Sequence, residues 1–260
     1  MPLATRVPLL SQVPCGDEQG HSLVSMGVRV LARVPSISLP ELMVRLDDLG
    51  GSRSSARWRV QCNYMLPRTA DAGLRHLFVV QMSDAPRAHF IVSRTRAAKV
   101  EGAATGDGEE VRVLRAGPEI ATVLEVMHTH RERLKLVVEG STYRCGDFVV
   151  RVGQVFRNSA LAGAAAEIEY LPCTNAAVCS APLEAFADML VPSDERDFCS
   201  METECFQDVQ DLPAAFGVEH SALLFVGLVR ARMVGDDEQQ RPLVAKPAAG
   251  RGELKRERPE

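Results

Sequence analysis

Eight residues between Arg57 and Tyr64 alternate strictly between polar and apolar side chains, and this pattern limits the possible folds more than any other feature. Trp58, Val60, Cys62 and Tyr64 are separated by arginine, glutamine or asparagine. Successive side chains of a β-strand point to opposite faces of the sheet, so a period of two predicts a half-buried strand. Antiparallel sheets commonly have one face on the core and one face in water, and this strand fits such a sheet.

Other strand-like segments occur in runs along the chain, with helices between the runs. We predict strands at residues 7–13, 23–34, 77–82, 88–93, 111–114, 134–138, 147–157 and 164–170. This order is typical of an α+β protein built on an antiparallel sheet. Roughly eight strands in one domain could also close into a barrel, which would remove the exposed edges. The predicted fold is therefore an antiparallel, barrel-like sheet flanked by helices.

Four helices are predicted around these strands. Ser38 and Glu41 form a capping-box pattern that starts the first helix. The second begins at residues 117–119, and we expect its apolar stripe to be buried; the stripe consists of Ile120, Val123, Leu124 and Met127. The third and fourth cover residues 182–190 and 218–233. We predict one domain at residues 1–233 and a disordered tail at 234–260, which is rich in proline, glycine and charge.

Composition excludes some classes of function. The 260 residues carry a formal net charge of -4, and no basic stripe marks a nucleic-acid-binding face. No stretch approaches the roughly 20 apolar residues of a membrane-spanning helix. Residues 1–14 lack the features of a signal peptide. Seven cysteines, an odd number, favour free thiols in a reducing compartment.

Catalytic, metal and cofactor sites are not predicted anywhere in the chain. Glu167 and Glu169 would share one side of a strand, as in tunnel-type phosphohydrolases with an E-x-E-x-K strand, but Leu171 stands at the lysine position. We expect this pair on a solvated outer face. His128 and His130 would point apart on a helix, and the cysteines are expected to be buried and inert. Nucleotide-binding and nucleophile motifs are absent from the sequence.

Three ordered segments resemble the Mediator subunit 20 family. The family typically shows an "EG.xY" strand, a "GDF.(V/L)(R/K)VG" strand and an "E(M/V)EY.P" strand; here residues 136–143 read LVVEGSTY, 146–153 read GDFVVRVG and 167–172 read EIEYLP. Residues 57–59, with Tyr64 and Pro67, resemble the "RW" strand of plant-type members, and residues 10–14 resemble the first family strand. The resemblance spans most of residues 7–233 and is weakest at 16–37.

The resemblance implies a nuclear, non-catalytic protein of the Mediator head module, a coactivator of RNA polymerase II transcription. By resemblance, it would form a heterodimer with Mediator subunit 18, be tethered by a helix of Mediator subunit 8, and contact the RNA polymerase II machinery. No cofactor, direct nucleic-acid contact or membrane contact is implied. The alternatives are a metal-dependent, tunnel-type triphosphate hydrolase and a generic nucleic-acid-binding barrel.

The fourth helix supplies the candidate partner-binding residues. It is apolar on nearly all sides, so it is either central to the core or covered by a partner. We predict that it contributes to the subunit interface through four side chains, namely Leu223, Leu224, Phe225 and Leu228.

Overall fold

A computed structural model describes residues 26–34, 38–69, 75–96, 109–193, 196–199, 206 and 209–239. The predicted strand at 7–13 lies outside these ranges. The strands are β1 (Val28–Val34), β2 (Ser52–Pro67), β3 (His76–Met82), β4 (His89–Arg96), β5 (Glu109–Ala116), β6 (His130–Cys145), β7 (Phe148–Arg157), β8 (Ala160–Tyr170), β9 (Asp197–Cys199) and β10 (Val209–Gln210). The helices are α1 (Leu39–Asp48), α2 (Ile120–Met127), α3 (Ala176–Leu190) and α4 (Val218–Gln239).

The ten strands form one sheet in the order β10-β5-β4-β3-β2-β6-β7-β8-β1-β9. All neighbouring pairs are antiparallel except the short pair β10 and β5. The α+β prediction is therefore confirmed. Among the described residues the sheet ends at β10 and β9, which are not paired with each other. The barrel is consequently not closed, and the barrel-like description holds only in the sense that the sheet is curved.

Helix α4 packs against one face of this curved sheet. It contacts β2, β3 and β4 from one half of the sheet and β1 and β9 from the other half. The ring of Phe225 lies 6.3 Å from the ring of Trp58, centroid to centroid. We call the face that carries Trp58 the inner face. Every residue from Ser221 to Val226 is buried, which explains why the helix is apolar on all sides.

The opposite, outer face is covered by α1 and α3 over only part of its width. Helix α1 contacts β7, and α3 contacts β8 and β1. Phe186 of α3 stacks on Phe148 of β7 with ring centroids 4.2 Å apart. Ser38 caps α1 by accepting a hydrogen bond from the Glu41 backbone N–H at 3.4 Å, as the sequence predicts.

Two glycines allow the strands to approach closely beside Trp58. Trp58 of β2 is opposite Gly140 of β6, which is opposite Gly153 of β7. A Cβ atom at Gly140 would lie 1.8 Å from the Val152 carbonyl oxygen. No side chain can occupy that space unless the backbone moves, so glycine at this position is a packing requirement.

Several helix boundaries differ from the sequence expectation. α3 begins at Ala176 and includes Pro182, which was expected near its start. α4 ends at Gln239 and not at residue 233, so it enters the segment assigned to the tail. Residues 240–260 lie outside the described ranges, and the domain division stays a prediction. Within the described part of the chain, no helix combines the length and hydropathy that crossing a bilayer requires.

We predict that stability falls on mild acidification because of His220 at the start of α4. This side chain is buried, its Nδ1 accepts a hydrogen bond from the Gly217 N–H at 3.0 Å, and it stacks on Phe216. Burial lowers the pKa of His220, although the Glu219 charge and the Pro213 carbonyl act against this.

Because the folded pKa lies below the unfolded value of about 6.5, the unfolded chain binds more protons as the pH falls through that value. Stability is thus full above that pH and is lost below it. The melting temperature should fall between about pH 7.5 and pH 5.5, and His220→Asn, which keeps an acceptor near Nδ1, should reduce this fall. An equal fall in both proteins would contradict the assignment to His220.

Candidate functional site

The two carboxylates singled out in the sequence lie on the inner face of the sheet. Residues directly opposite each other in neighbouring strands point to the same face of a sheet. Gly140, Gly153 and Ala165 of β8 are opposite one another in this way, so all three lie on the inner face. Glu167 and Glu169 are two and four residues further along β8 and therefore point to the same side. Their exposed fractions are 0% and 4%. The prediction of a solvated outer face is wrong, because alternation defines two faces without specifying which one is enclosed.

Two arginines reach this carboxylate pair from the neighbouring strands. Arg151 of β7 donates from Nη1 to Glu167 Oε2 and from Nη2 to Glu169 Oε2, both at 2.7 Å. Arg29 of β1 places Nη2 3.2 Å from Glu169 Oε2 and Nη1 3.6 Å from Glu167 Oε1. Arg151 lies directly opposite Glu167 in the β7–β8 pair.

A third carboxylate joins the cluster from a distant part of the sheet order. Asp84, in the turn between β3 and β4, accepts a hydrogen bond from Arg29 Nη1 at 2.6 Å. β1 and β3 are separated by four strands in the sheet, so this contact requires the sheet to curve strongly. Arg29 and Asp84 were not identified from the sequence, because their proximity depends on that curvature. We call these five side chains the inner ionic cluster: Arg29, Asp84, Arg151, Glu167 and Glu169.

The charges within the inner ionic cluster largely neutralise one another. Burial by itself would lower the pKa of Arg29, but the charges of Glu167, Asp84 and Glu169 outweigh burial and raise it. Arg29 therefore stays protonated beside three carboxylates. The Gly27 N–H donates to Glu169 Oε1 at 3.0 Å, so of the four glutamate oxygens only Glu167 Oε1 has no hydrogen-bond partner.

The inner ionic cluster by itself does not resemble a metal or triphosphate site. Hard metal ions take carboxylate oxygens as ligands, but one oxygen of each carboxylate here already accepts a hydrogen bond from an arginine. A triphosphate needs an excess of positive charge, which two arginines beside three carboxylates do not provide within this cluster. Arg29 and Arg151 do converge on Glu167 and Glu169, as the hydrolase alternative requires, but as ion-pair partners. Among the described residues, no group of three or more metal-ligating side chains is close enough to hold a metal.

The remaining sequence candidates also take structural roles. His130 begins strand β6, not a helix end, and its Nε2 lies 2.9 Å from the Arg75 carbonyl oxygen. His128 ends α2 in a left-handed conformation with φ 51°. The thiols of Cys62, Cys145 and Cys179 are buried, and burial raises the pKa of each, for Cys179 to about 12. These three thiols are thus poor nucleophiles.

The predicted partner-binding residues of α4 are enclosed by this chain's own sheet. Leu223, Leu224, Phe225 and Leu228 are 0–3% exposed in the isolated chain. Packing within the chain accounts for their apolar character without a partner. Their contribution to a subunit interface stays a prediction.

Helix α2, unlike α4, has its apolar side chains exposed to solvent. Its stripe was expected to be buried, but no residue of α2 is buried. Val123, Val126 and Met127 are 43%, 71% and 59% exposed. The pairing order makes β5 and β6 parallel, and α2 is the connection between them. Its apolar side chains had predicted a covered helix, but the described part of this chain leaves them largely in contact with solvent.

Comparison with known proteins gives one family. A family model described as the TATA-binding related factor (TRF) of subunit 20 of Mediator complex matches residues 26–216. The match begins just before β1, so the resemblance of residues 10–14 to the first family strand lies outside it, and residues 1–25 precede the matched region. Subunit 20b of Mediator of RNA polymerase II transcription from Arabidopsis thaliana is 24% identical over 158 residues, or 58% of this chain. The chain spans 65% of that relative's length.

Similar solved structures include a chain of the Schizosaccharomyces pombe Mediator head module, 13% identical, with a TM-score of 0.35 over 66% of this chain and 97% of that chain. Another is the PH1012 protein of Pyrococcus horikoshii, 15% identical, with a TM-score of 0.41 over 66% of this chain and 94% of that chain. A third is a Hippeastrum protein described as an adenylyl cyclase with dominant triphosphatase activity, 14% identical, with a TM-score of 0.37 over 64% of this chain and 88% of that chain.

Proposed function

Because the chain belongs to the family of subunit 20 of Mediator complex, we propose that it is a non-catalytic subunit of the Mediator head module. In this role it acts as a nuclear coactivator of RNA polymerase II transcription through protein–protein association. Its proposed partners are Mediator subunit 18, with which it forms a heterodimer, a helix of Mediator subunit 8, and the remaining head and polymerase machinery. Direct contact with nucleic acid or membrane is not part of the proposal.

The observation that supports association with another protein is the exposed apolar side of α2. An isolated helix of eight residues is marginal in water, and helices in proteins gain most of their stability by burying an apolar face. α2 has an apolar face and no buried residue. A protein partner that covers Val123, Val126 and Met127 would supply the missing burial.

The inner ionic cluster supports the non-catalytic part of the proposal. Its carboxylates are held by arginines, and α4 lies against the same face of the sheet. A tunnel-type hydrolase needs that face open to its substrate. The cluster therefore acts as a structural link among β1, β7, β8 and the β3–β4 turn.

The test is co-expression with Mediator subunit 18 of the same organism, followed by size-exclusion chromatography with light scattering. We expect a one-to-one complex. Val126→Asp should weaken it at least ten-fold, about 1.4 kcal/mol, because a buried unpaired charge is costly at an interface. The melting temperature of the lone chain should be unchanged, since Val126 is largely exposed.

Leu161→Asp is the matched control, because Leu161 is 62% exposed at the β7–β8 hairpin and lies outside α2. It should leave the complex intact. A well-behaved monomer that ignores subunit 18 would contradict the proposal. Assays of triphosphate hydrolysis with magnesium or manganese would then test the enzymatic alternative.

A further inference from the structure

A second apolar surface lies on the solvent side of α3. Val178, Ala181, Ala185 and Met189 recur every three or four residues and form one stripe along the helix. Val178 and Met189 are 71% and 59% exposed, and the two alanines between them are also exposed.

Helix α1 extends this surface. Arg45 Nη1 of α1 donates to the Leu190 carbonyl oxygen at 3.2 Å, which places α1 beside the C-terminal end of α3. Val44, next to Arg45, is 58% exposed. We call the five apolar residues of the two helices the α1–α3 face: Val44, Val178, Ala181, Ala185 and Met189.

The charges around the α1–α3 face are acidic. Glu41 and Asp188 already have arginine partners, Arg45 and Arg196. No salt bridge is found for Asp47, Asp48 or Glu184 within the described part of the chain, and all three are exposed.

Two of these acids stand where negative charge is unfavourable. Asp47 and Asp48 lie in the last turn of α1, at the negative end of the helix dipole. A cationic group brought close to them would relieve this repulsion.

We propose that the α1–α3 face docks an amphipathic helix of another protein that carries an apolar stripe flanked by lysine and arginine. The stripe would cover Val178, Ala181, Ala185 and Met189, and the basic flanks would meet Asp48 and Glu184. A second copy of this chain fits less well, because the same face would bring acids against acids. The inference concerns a surface distinct from α2 and stands independently of pairing with Mediator subunit 18.

The test uses the full chain and a designed probe. The probe is a fluorescein-labelled amphipathic helical peptide of about 18 residues, or five turns, with a leucine stripe and lysine flanks. The control peptide has glutamate at every lysine position. We expect the lysine peptide to bind at least ten-fold more tightly than the glutamate peptide, with affinity falling as salt rises. In methyl NMR spectra, the Met189 resonance should shift on binding.

Variants locate the site. Met189→Lys and Ala185→Lys should each weaken binding of the lysine peptide at least ten-fold without changing the melting temperature, because both positions are exposed. Leu161→Lys, at the β7–β8 hairpin and outside both apolar surfaces, is the matched control and should leave binding unchanged. If Leu161→Lys weakens binding as much, or if both peptides bind equally, the proposal is wrong.

A shortened chain ending at Gln239 tests whether the α1–α3 face binds a helix of a partner protein or the chain's own basic segment, residues 240–260. The proposal expects the same affinity for the full and shortened chains. Binding seen only after shortening would assign the α1–α3 face to that segment and overturn the proposal. No binding to either chain would also overturn it. Loss of the subunit 18 complex alone would affect only the proposed function.

Discussion

Replacement of Arg151 by leucine is expected to lower the free energy of unfolding by about 3–5 kcal/mol. Arg151 makes two 2.7 Å hydrogen bonds to the glutamates of β8, whose side chains are 1% and 5% exposed. Without it, Arg29 alone would face three carboxylates, two of them buried. Removing one partner of a buried ion pair leaves an uncompensated charge, and that penalty is much larger than the net value of the pair.

Urea unfolding of the purified chain measures this loss. Arg59→Leu is the matched control, because Arg59 pairs with Glu139 at 3.2 Å while both side chains are about half exposed. An exposed pair is worth roughly 0–1 kcal/mol, so the control should change stability little. If both variants lose similar stability, the inner ionic cluster is not the structural link that we describe.

Phe225→Ala is expected to cost about 3–5 kcal/mol, a loss comparable to that of Arg151→Leu. Phe225 is 0% exposed and packs near Trp58 between α4 and the inner face of the sheet. Its removal deletes apolar contacts and leaves a cavity that a ten-stranded sheet cannot fully close. Urea unfolding again provides the measurement, and Phe225→Leu should cost clearly less because it leaves a smaller cavity.

The same variant tests the partner role predicted for α4. If Leu223, Leu224, Phe225 and Leu228 act only through the core, a folded Phe225→Ala chain should bind Mediator subunit 18 with normal affinity. A loss of binding at a temperature where the variant is fully folded would instead support a direct contribution to the interface. Unchanged stability would contradict the packing of α4 against the sheet.

Patterns between residues close together in the sequence predicted individual strands and helix ends. The alternation around Trp58 predicted strand β2, and the Ser38 and Glu41 pattern predicted the start of α1. The ordered segments from residue 136 to residue 172 predicted the family, which the match over residues 26–216 confirms. These signals depend on spacing along the chain, which the sequence contains in full.

The burial of Glu167 and Glu169 could not be predicted from such local patterns. A period of two shows that both carboxylates share a face, but both faces of β8 are buried. Which face is the inner one depends on where α4 packs, about 50 residues later in the chain. The pairing with Arg29 and Asp84 also requires strands that are distant in sequence to meet through the curvature of the sheet.

The sequence by itself determined the strand and helix types, the α1 cap and the family, because periodicity, capping and ordered motifs act over short distances. Only the tertiary structure decided that the two glutamates are enclosed, that α4 is central to the core, and that the described part of the chain leaves α2 uncovered. An apolar stripe indicates that a helix needs to be covered by other residues. The packing of the sheet determines whether the described residues of the same chain provide that cover, as they do for α4, or leave the stripe exposed, as they do for α2.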